Sequence, residues 1–453
     1  MSNVDNLQEP SHHLRQVNEA LTSGMFVHVR KMLNDLPSSD VAHLLESSIP
    51  KYRAVLWDLI DEDKEGDILH YLSDEVRNAF MSQMQPHELA AAAEGLETDD
   101  LADIFGDLPD SVYAEVTKLL SQRDRARVEA ALHYPEDTAG GLMNTDTITV
   151  RPEVSLDVVM RYLRLRGELP DTTDNLYVVD RADTLVGVIS LGTILVNQPT
   201  QQVCNIMNSE IHPIKVDTNA SDVASLFERR DIISAPVINE QGQLLGRITI
   251  DDVVDVILEE ADHSLKGMAG LDEQEDTFAP IFTTARRRAI WLGINLLTAI
   301  IAAAVSNQFE NVLEQYATLA ILMTIVPSMG GVAGIQSLTL VIRGMAQNQI
   351  NADNRRWLIS KELFVGLING VLWALIIAAL VAIWKNDFMI GAIIACAMTI
   401  NLSVACLAGA LVPFALKRLK IDPSLAGGVV LTTITDVVGL MSFLGLATLL
   451  LVL

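Results

Sequence analysis

The chain has 453 residues, a formal net charge of −26 and 50% hydrophobic residues. A field that negative repels nucleic acid and gathers cations, which excludes DNA and RNA as partners. The charge and the apolar residues lie in different places: Arg286 onward holds seven acids and eleven Lys/Arg, so the other 51 acids and 21 bases precede it and an acidic soluble half is followed by a membrane half.

The opening MSNVDNLQEPSHHLRQ lacks the charged and apolar regions of a signal peptide, which places the soluble half in the cytoplasm. Residues 1–135 read as an acidic, α-helical domain of short helices. LPSSDVAHLL, MQPHELAAAA and LETDDLADIFGDLP each open on Pro, Ser or Thr, carry an acid in the first turn and continue with apolar residues. Acids there stabilise the positive end of a helix, which accounts for Asp99 and Asp100. Asp103 lies four residues after Asp99 on the same face, so that pair has a second possible use in holding a hydrated cation.

Residues 136–262 repeat themselves. GLMNTDTITVRPEVSLDVVMRYL aligns with NIMNSEIHPIKVDTNASDVASLF, setting Met143-Asn144 against Met207-Asn208 and, after one inserted residue, Asp157 against Asp222. Self-similarity over about 60 residues marks a structural repeat. Each copy predicts a short strand, a helix, two strands around a turn and a closing helix. The pair resembles tandem CBS domains, small α/β modules that often sense ligands. In GRITIDD, Thr249 and Asp252 match that family's pattern for a nucleotide ribose, which implies ATP as a ligand; the first copy has VISLGTI, without an acid.

A connecting helix is expected over 263–285, within an acidic run of Glu259, Glu260, Asp262, Asp272, Glu273, Glu275 and Asp276 that reads by itself as a solvated face. Residues 286–453 then offer five apolar segments near 289–306, 317–342, 358–384, 388–416 and 425–453, each long enough to cross a hydrocarbon core. Positive residues cluster before the first, between the second and third, and between the fourth and fifth. By the positive-inside rule the N-terminus is cytoplasmic and the C-terminus outside, in a multi-pass protein of the inner membrane. Trp357 and Trp384 bracket the third span as interfacial anchors. Cys204, Cys396 and Cys406 show no metal spacing and read as small buried hydrophobes.

In the second span Pro327, Gly330, Gly331 and Gly334 either break the helix at a wet cavity or serve close packing. In the fifth, Gly428, Thr432, Thr435, Asp436 and Gly439 recur at spacings of three and four, on one small, polar face. Asp436 is the only ionisable residue from Leu425 to Leu453. With no Lys or Arg expected inside a span to pair with it, an ion path is its best use, because a charge at the bilayer centre costs about 2.5–3.5 kcal/mol.

The order of helical acidic domain, CBS pair, acidic connecting helix and five spans resembles the MgtE family of magnesium channels over the whole chain. GGVAGIQSLTLVIRG, PFALKRLKIDP and TTITDVVG carry the resemblance in the membrane half. Val332 stands where the family commonly has Asn. The resemblance implies a homodimer in the lipid bilayer with a pore on its twofold axis, Asp436 of each copy as the central cation site and Mg²⁺ as both substrate and regulator. Mg²⁺ prefers oxygen ligands and sheds water reluctantly, so Asp436 with hydroxyls such as Thr432 could hold it through its water shell. It further implies that Mg²⁺ bridging Asp99 and Asp103 to Asp251 and Asp252, and Glu259 and Glu260 to Asp422, closes the channel, with the connecting helix as plug. Co²⁺ or Mn²⁺ as the transported ion stays open. A membrane metalloprotease is disfavoured by the lack of any HExxH, and an anion carrier by a buried acid without a buried base.

Overall fold

The structure is a computed structural model that describes residues 15–451, apart from Asn18, Thr22, Glu94, Gly95, Asp107, Asp171 and 272–274, and apart from the side chains of Asp99, Asp103, Arg123 and Ala131. The chain divides into two units. One holds the residues through Glu260 together with Asp276–Pro280; the other holds Ala261–Glu275 and Ile281 onward.

The first unit begins with short helices, whose starts follow the expected signals. Pro37 and Pro109 precede helices Ser38–Glu46 and Asp110–Leu119, and Pro50 and Pro86 occupy first helical positions, where the missing N–H costs nothing. Gln85 and Glu88 add a reciprocal capping box. Buried Leu33, Leu45, Leu56, Ile68, Leu89 and Leu101 make the core. Among them Arg53, 8% exposed, donates to the Leu45 and Glu46 carbonyls and pairs with Asp276 at 2.5 Å.

The repeat folds as two matching sheets. β1 (Thr149–Val150) runs parallel to β2 (Asn175–Val179), which is antiparallel to β3 (Leu185–Ser190). β4 (Ile214–Lys215), β5 (Ser234–Ile238) and β6 (Leu244–Thr249) copy that order. The register irregularity after Val178 recurs after Val237. Asp157 and Asp222 fall in the first turns of equivalent helices, Leu156–Arg166 and Ala220–Arg230. Each Met-Asn pair crosses to the other copy: Asn144 bridges Arg247 on β6, and Asn208 bridges Val188 on β3. That crossing explains the strand glycines. A Cβ on Gly246 would lie 2.7 Å from the Asn144 carbonyl oxygen, and one on Gly187 would lie 2.8 Å from Met207 Sδ.

The second unit contains five helical stretches long and apolar enough to span a membrane: Ile281–Asn307, Ala317–Ala346, Ala352–Lys385, Phe388–Arg418 and Pro423–Leu451. They match the five expected segments. The fourth is the hub on which the second, third and fifth pack. Small residues bring these helices together, since a Cβ on Gly409 would stand 2.4 Å from the Gly334 carbonyl oxygen, and one on Gly366 2.8 Å from that of Leu402. The first span has no buried residue. Trp357 and Trp384 both point outward, as anchors at the two surfaces should.

Three expectations change. The connecting helix is not one piece over 263–285: helix Ile250–Met268 continues from the second repeat, and the first span starts at Ile281, ahead of its arginines. Gly270, at φ +69°, lies just past the end of the earlier helix, where a left-handed residue stops it. The second span is interrupted at Met323–Thr324 rather than at its glycines, because Pro327 sits in the first turn of Ile325–Ala346 and its ring excludes an ordinary helix four residues earlier. Of the cysteines, only Cys406 is buried. Cys204 faces out of a short turn whose buried residue is Val203, and Cys396 lies on an outward face of the fourth span.

Candidate functional site

Asp436 sits midway along Pro423–Leu451, partly exposed, and makes no hydrogen bond or ion pair among the described residues. One turn earlier, Thr432 donates its hydroxyl proton to the Gly428 carbonyl at 2.8 Å, which leaves the oxygen lone pairs for a cation or its water. Nothing lies within 4 Å of a Cβ built on Gly428. These three residues therefore share an open strip of helix.

The other two members of the expected polar face turn inward. Thr435 is fully buried and donates to the Thr432 carbonyl, and Gly439 packs on Asn401 and Pro327. Gly330 meets the same Asn401 from the second span. Spacings of three and four spread over a wide arc, so one helix edge serves packing and the adjoining edge stays open. The glycines of the second span also divide: Gly330 and Gly334 are crossing points, whereas a Cβ built on Gly331 would still stand 4.0 Å from the Thr435 hydroxyl. Val332 is 57% exposed.

In the first unit, Thr249 begins helix Ile250–Met268 as its cap. Its hydroxyl contacts the carboxylates of both Asp251 and Asp252, and its backbone N–H donates to Asp252 at 3.2 Å. Burial first, and then the charge of Asp251, push the Asp252 acid up to about 7 against the pull of the Thr249 hydrogen bonds. Asp100 adds to that push. It also pairs with His70 Nδ1 at 2.9 Å, so it does more than stabilise a helix start. The side chains of Asp99 and Asp103, expected opposite Asp251 and Asp252, lie outside the described residues, as do Asp272 and Glu273. Asp100 and His70 are the described groups that the sequence did not offer for this place. No local spacing links them, although the helix repeat of acids around Asp100 marks the region.

Asp422 accepts from the Ser424 N–H at 2.7 Å and the Ser424 hydroxyl at 2.6 Å, at the start of the fifth span. Partial burial raises its acid, but those hydrogen bonds and His263 outweigh it and hold the group below its usual range. His263, close against Asp422, was not singled out by sequence. Glu259 and Glu260 fall in the other unit. The acidic run is not simply a solvated face: Glu275, 9% exposed, pairs with Arg288 at 2.6 Å, and Asp276 is the partner of Arg53. Among the described residues no three His, Cys, Asp or Glu side chains gather closely enough to hold a metal ion directly.

The comparisons with known proteins agree along the chain. Residues 36–137 match the MgtE intracellular N domain, 139–198 and 203–259 the CBS domain, and 323–446 the MgtE family of divalent cation transporters. A magnesium transporter MgtE of Thermus thermophilus is 32% identical over 96% of this chain and 97% of its own length. The chain belongs to the MgtE family of magnesium transporters. MgtE proteins of Bacillus subtilis and Enterococcus faecalis are 27% and 29% identical, over 94% and 96% of this chain and 95% and 94% of their own. These are transport proteins rather than enzymes. Among solved structures, the cytosolic domain of the Mg²⁺ channel MgtE in complex with ATP is similar at a TM-score of 0.49, with 33% identity over 54% of this chain and 99% of that one.

Proposed function

We propose that two copies of this chain form a Mg²⁺ channel in the cytoplasmic membrane, with the pore on their twofold axis and Asp436 of each copy at its centre. The observation that carries this reading is the unpartnered carboxylate of Asp436 beside Thr432 and Gly428 on an open strip of a membrane helix. An acid without a base inside a span needs water or a cation. One carboxylate and one hydroxyl are too few for a closed metal site, but two of each, reaching an ion through its waters, suit Mg²⁺ and let it leave. The basic residues at the span ends support a cytoplasmic N-terminus and an external C-terminus.

The soluble acids act as the sensor. Asp251 and Asp252, with Asp100 and the expected Asp99 and Asp103, form a negative surface that Mg²⁺ draws together; Glu259, Glu260 and Asp422 do the same near the membrane. Binding the closed state more tightly than the open one is what makes the ion a switch. A nucleotide ribose at Thr249 and Asp252 would share the oxygens that cap the helix, so ATP is a second ligand for that end. In a strain unable to import magnesium, Asp436→Asn should insert normally and fail to restore growth. Full rescue overturns the pore assignment. Neutralising Glu259, Glu260 and Asp422 together should leave the channel open in millimolar Mg²⁺, and unchanged inhibition would remove those residues from the switch.

A further inference from the structure

Two large polar side chains are buried between the membrane helices, and the fold treats them differently. Glu362, in the third span and 5% exposed, accepts from the Ser337 hydroxyl at 2.6 Å and from Lys361 Nζ at 3.0 Å. Asn401, in the fourth span and fully buried, is only half satisfied. Its Nδ2 donates to the Val326 carbonyl of the second span at 2.7 Å, while its Oδ1 accepts nothing among the described residues. The amide lies where three helices meet. A Cβ on Gly330 of the second span would overlap Nδ2, and one on Gly439 of the fifth would stand 3.0 Å from Nδ2 and 3.0 Å from Pro327 Cγ. Val326 is in the first turn after the interruption at Met323–Thr324, so the amide holds the second span where its helix restarts.

Packing alone does not call for an amide here. A buried amide oxygen without a donor lowers stability, and an apolar side chain between two glycines would fill the junction without one. What a buried Asn adds is a single arrangement: one such residue in the seam of a coiled coil fixes register while weakening the assembly. We propose that Asn401 is a positioning residue that sets the rotation and height of the fifth span, and through them the place of Asp436 and the preference for Mg²⁺. Gly439 lies three residues after Asp436, about 4.5 Å along the helix. Thr435, also fully buried, holds the same edge of the fifth span toward Gly331. The lever is steep. With side chains reaching about 5–6 Å from the helix axis, a rotation of about 20° carries a carboxylate about 2 Å. Mg²⁺ keeps an octahedral shell of waters, so carboxylates that hold it through those waters must stand at fixed places, whereas Ca²⁺ adapts its ligand number and geometry. A fifth span free to turn therefore loses Mg²⁺ before it loses Ca²⁺. The role rests on Asp436 lining the pore, as proposed above.

The measurement is the ratio of Mg²⁺ to Ca²⁺ flux into vesicles that hold the whole protein. A residue that serves folding alone lowers both fluxes together, through the number of working channels, and leaves the ratio as it was. Asn401→Ala removes the bond and the orphaned oxygen at once, so it should insert, melt within a few degrees of the unmodified protein and lower the ratio several-fold. Gly439→Ala, which adds no polar group and pushes the fifth span off the amide and Pro327, should lower it too. Asp436→Asn should abolish both fluxes. A ratio unchanged in either alanine variant, with flux abolished in Asp436→Asn, leaves the pore standing and overturns the positioning role. If Gly439→Ala does not insert, Asn401→Ala decides alone. An Asn401→Ala protein that fails to insert, or melts far below the unmodified one, marks the amide as structural and overturns the role as well. Flux that survives in Asp436→Asn overturns the pore and this role with it.

Discussion

The acids of the two units are held in opposite ways. In the first unit each singled-out carboxylate with a described environment has protein partners: Asp276 has Arg53, Asp100 has His70, and Asp252 has Thr249. In the second, Asp422 has His263 and Glu362 has Lys361, whereas Asp436 has no partner among the described residues. A buried charge that the fold satisfies is part of the fold. One that the fold leaves unsatisfied, in the most expensive solvent, is available to something that passes.

The largest effect that follows is a separation of transport from stability at Asp436. Asp436→Asn breaks no bond and removes a charge that is costly to bury, so the bundle should melt at the same temperature or higher while Mg²⁺ flux into vesicles falls to background. A large loss of thermal stability would mean that Asp436 is a structural acid after all.

Arg53→Met should show the reverse. It removes the guanidinium that Asp276 and the Leu45 and Glu46 carbonyls share, and breaking a desolvated pair of this kind costs about 3–5 kcal/mol. The first unit should become sensitive to protease and unfold earlier in urea. Asp436 flux should persist until the soluble half fails. Unfolding midpoints unchanged by Arg53→Met would show that the pair contributes nothing, and the contrast between the two kinds of acid would lose its structural half.

A smaller effect tests the repeat. Gly246→Ala must push back the Asn144 carbonyl at 2.7 Å, whereas Gly187→Ala meets the more yielding Met207 side chain first and the Asn208 carbonyl only at 3.0 Å, so the first should cost more, about 1–3 kcal/mol for an overpacked contact. Equal costs in urea unfolding would show that the two copies do not differ where their crossing segments do.

The sequence made the periodic features legible. Five spans, a repeat that pairs Met143-Asn144 with Met207-Asn208, Pro-led short helices and a lone acid in an apolar run all leave local signatures, and each stands in the structure. Pairs assembled from distant segments left none. Arg53 and Asp276 are separated by more than two hundred residues, His263 and Asp422 by more than one hundred and fifty. Thr435 and Gly439 mark a different limit. A helical wheel gives their direction, but whether that direction meets lipid, water or Asn401 depends on the neighbouring helices. Glu362 was hidden because it follows Lys361 directly and reads as one of the charges that flank a span.

Proton release is the finest test of the contrast. Asp252 titrates near 7, above the ordinary range of a carboxyl, so between about pH 4 and 7 the folded chain keeps a proton that the unfolded chain gives up. Stability from this group is full below the unfolded value and is lost as the pH rises through 7. A divalent ion beside Asp251 and Asp252 favours the charged form, and linkage requires the converse, that raising the pH through 7 tightens Mg²⁺ binding. Just below pH 7, adding Mg²⁺ to weakly buffered protein should therefore release a fraction of a proton per chain. NaCl of equal ionic strength should release less, because screening weakens the repulsion from Asp251 and Asp100 without placing a charge beside the acid. Asp252→Asn should abolish the difference between the salts and flatten the stability profile between pH 5 and 8, while its amide oxygen still caps the helix. If both salts release the same amount from the unmodified protein, Mg²⁺ does not bind at this surface, and the acids of the first unit serve the fold alone.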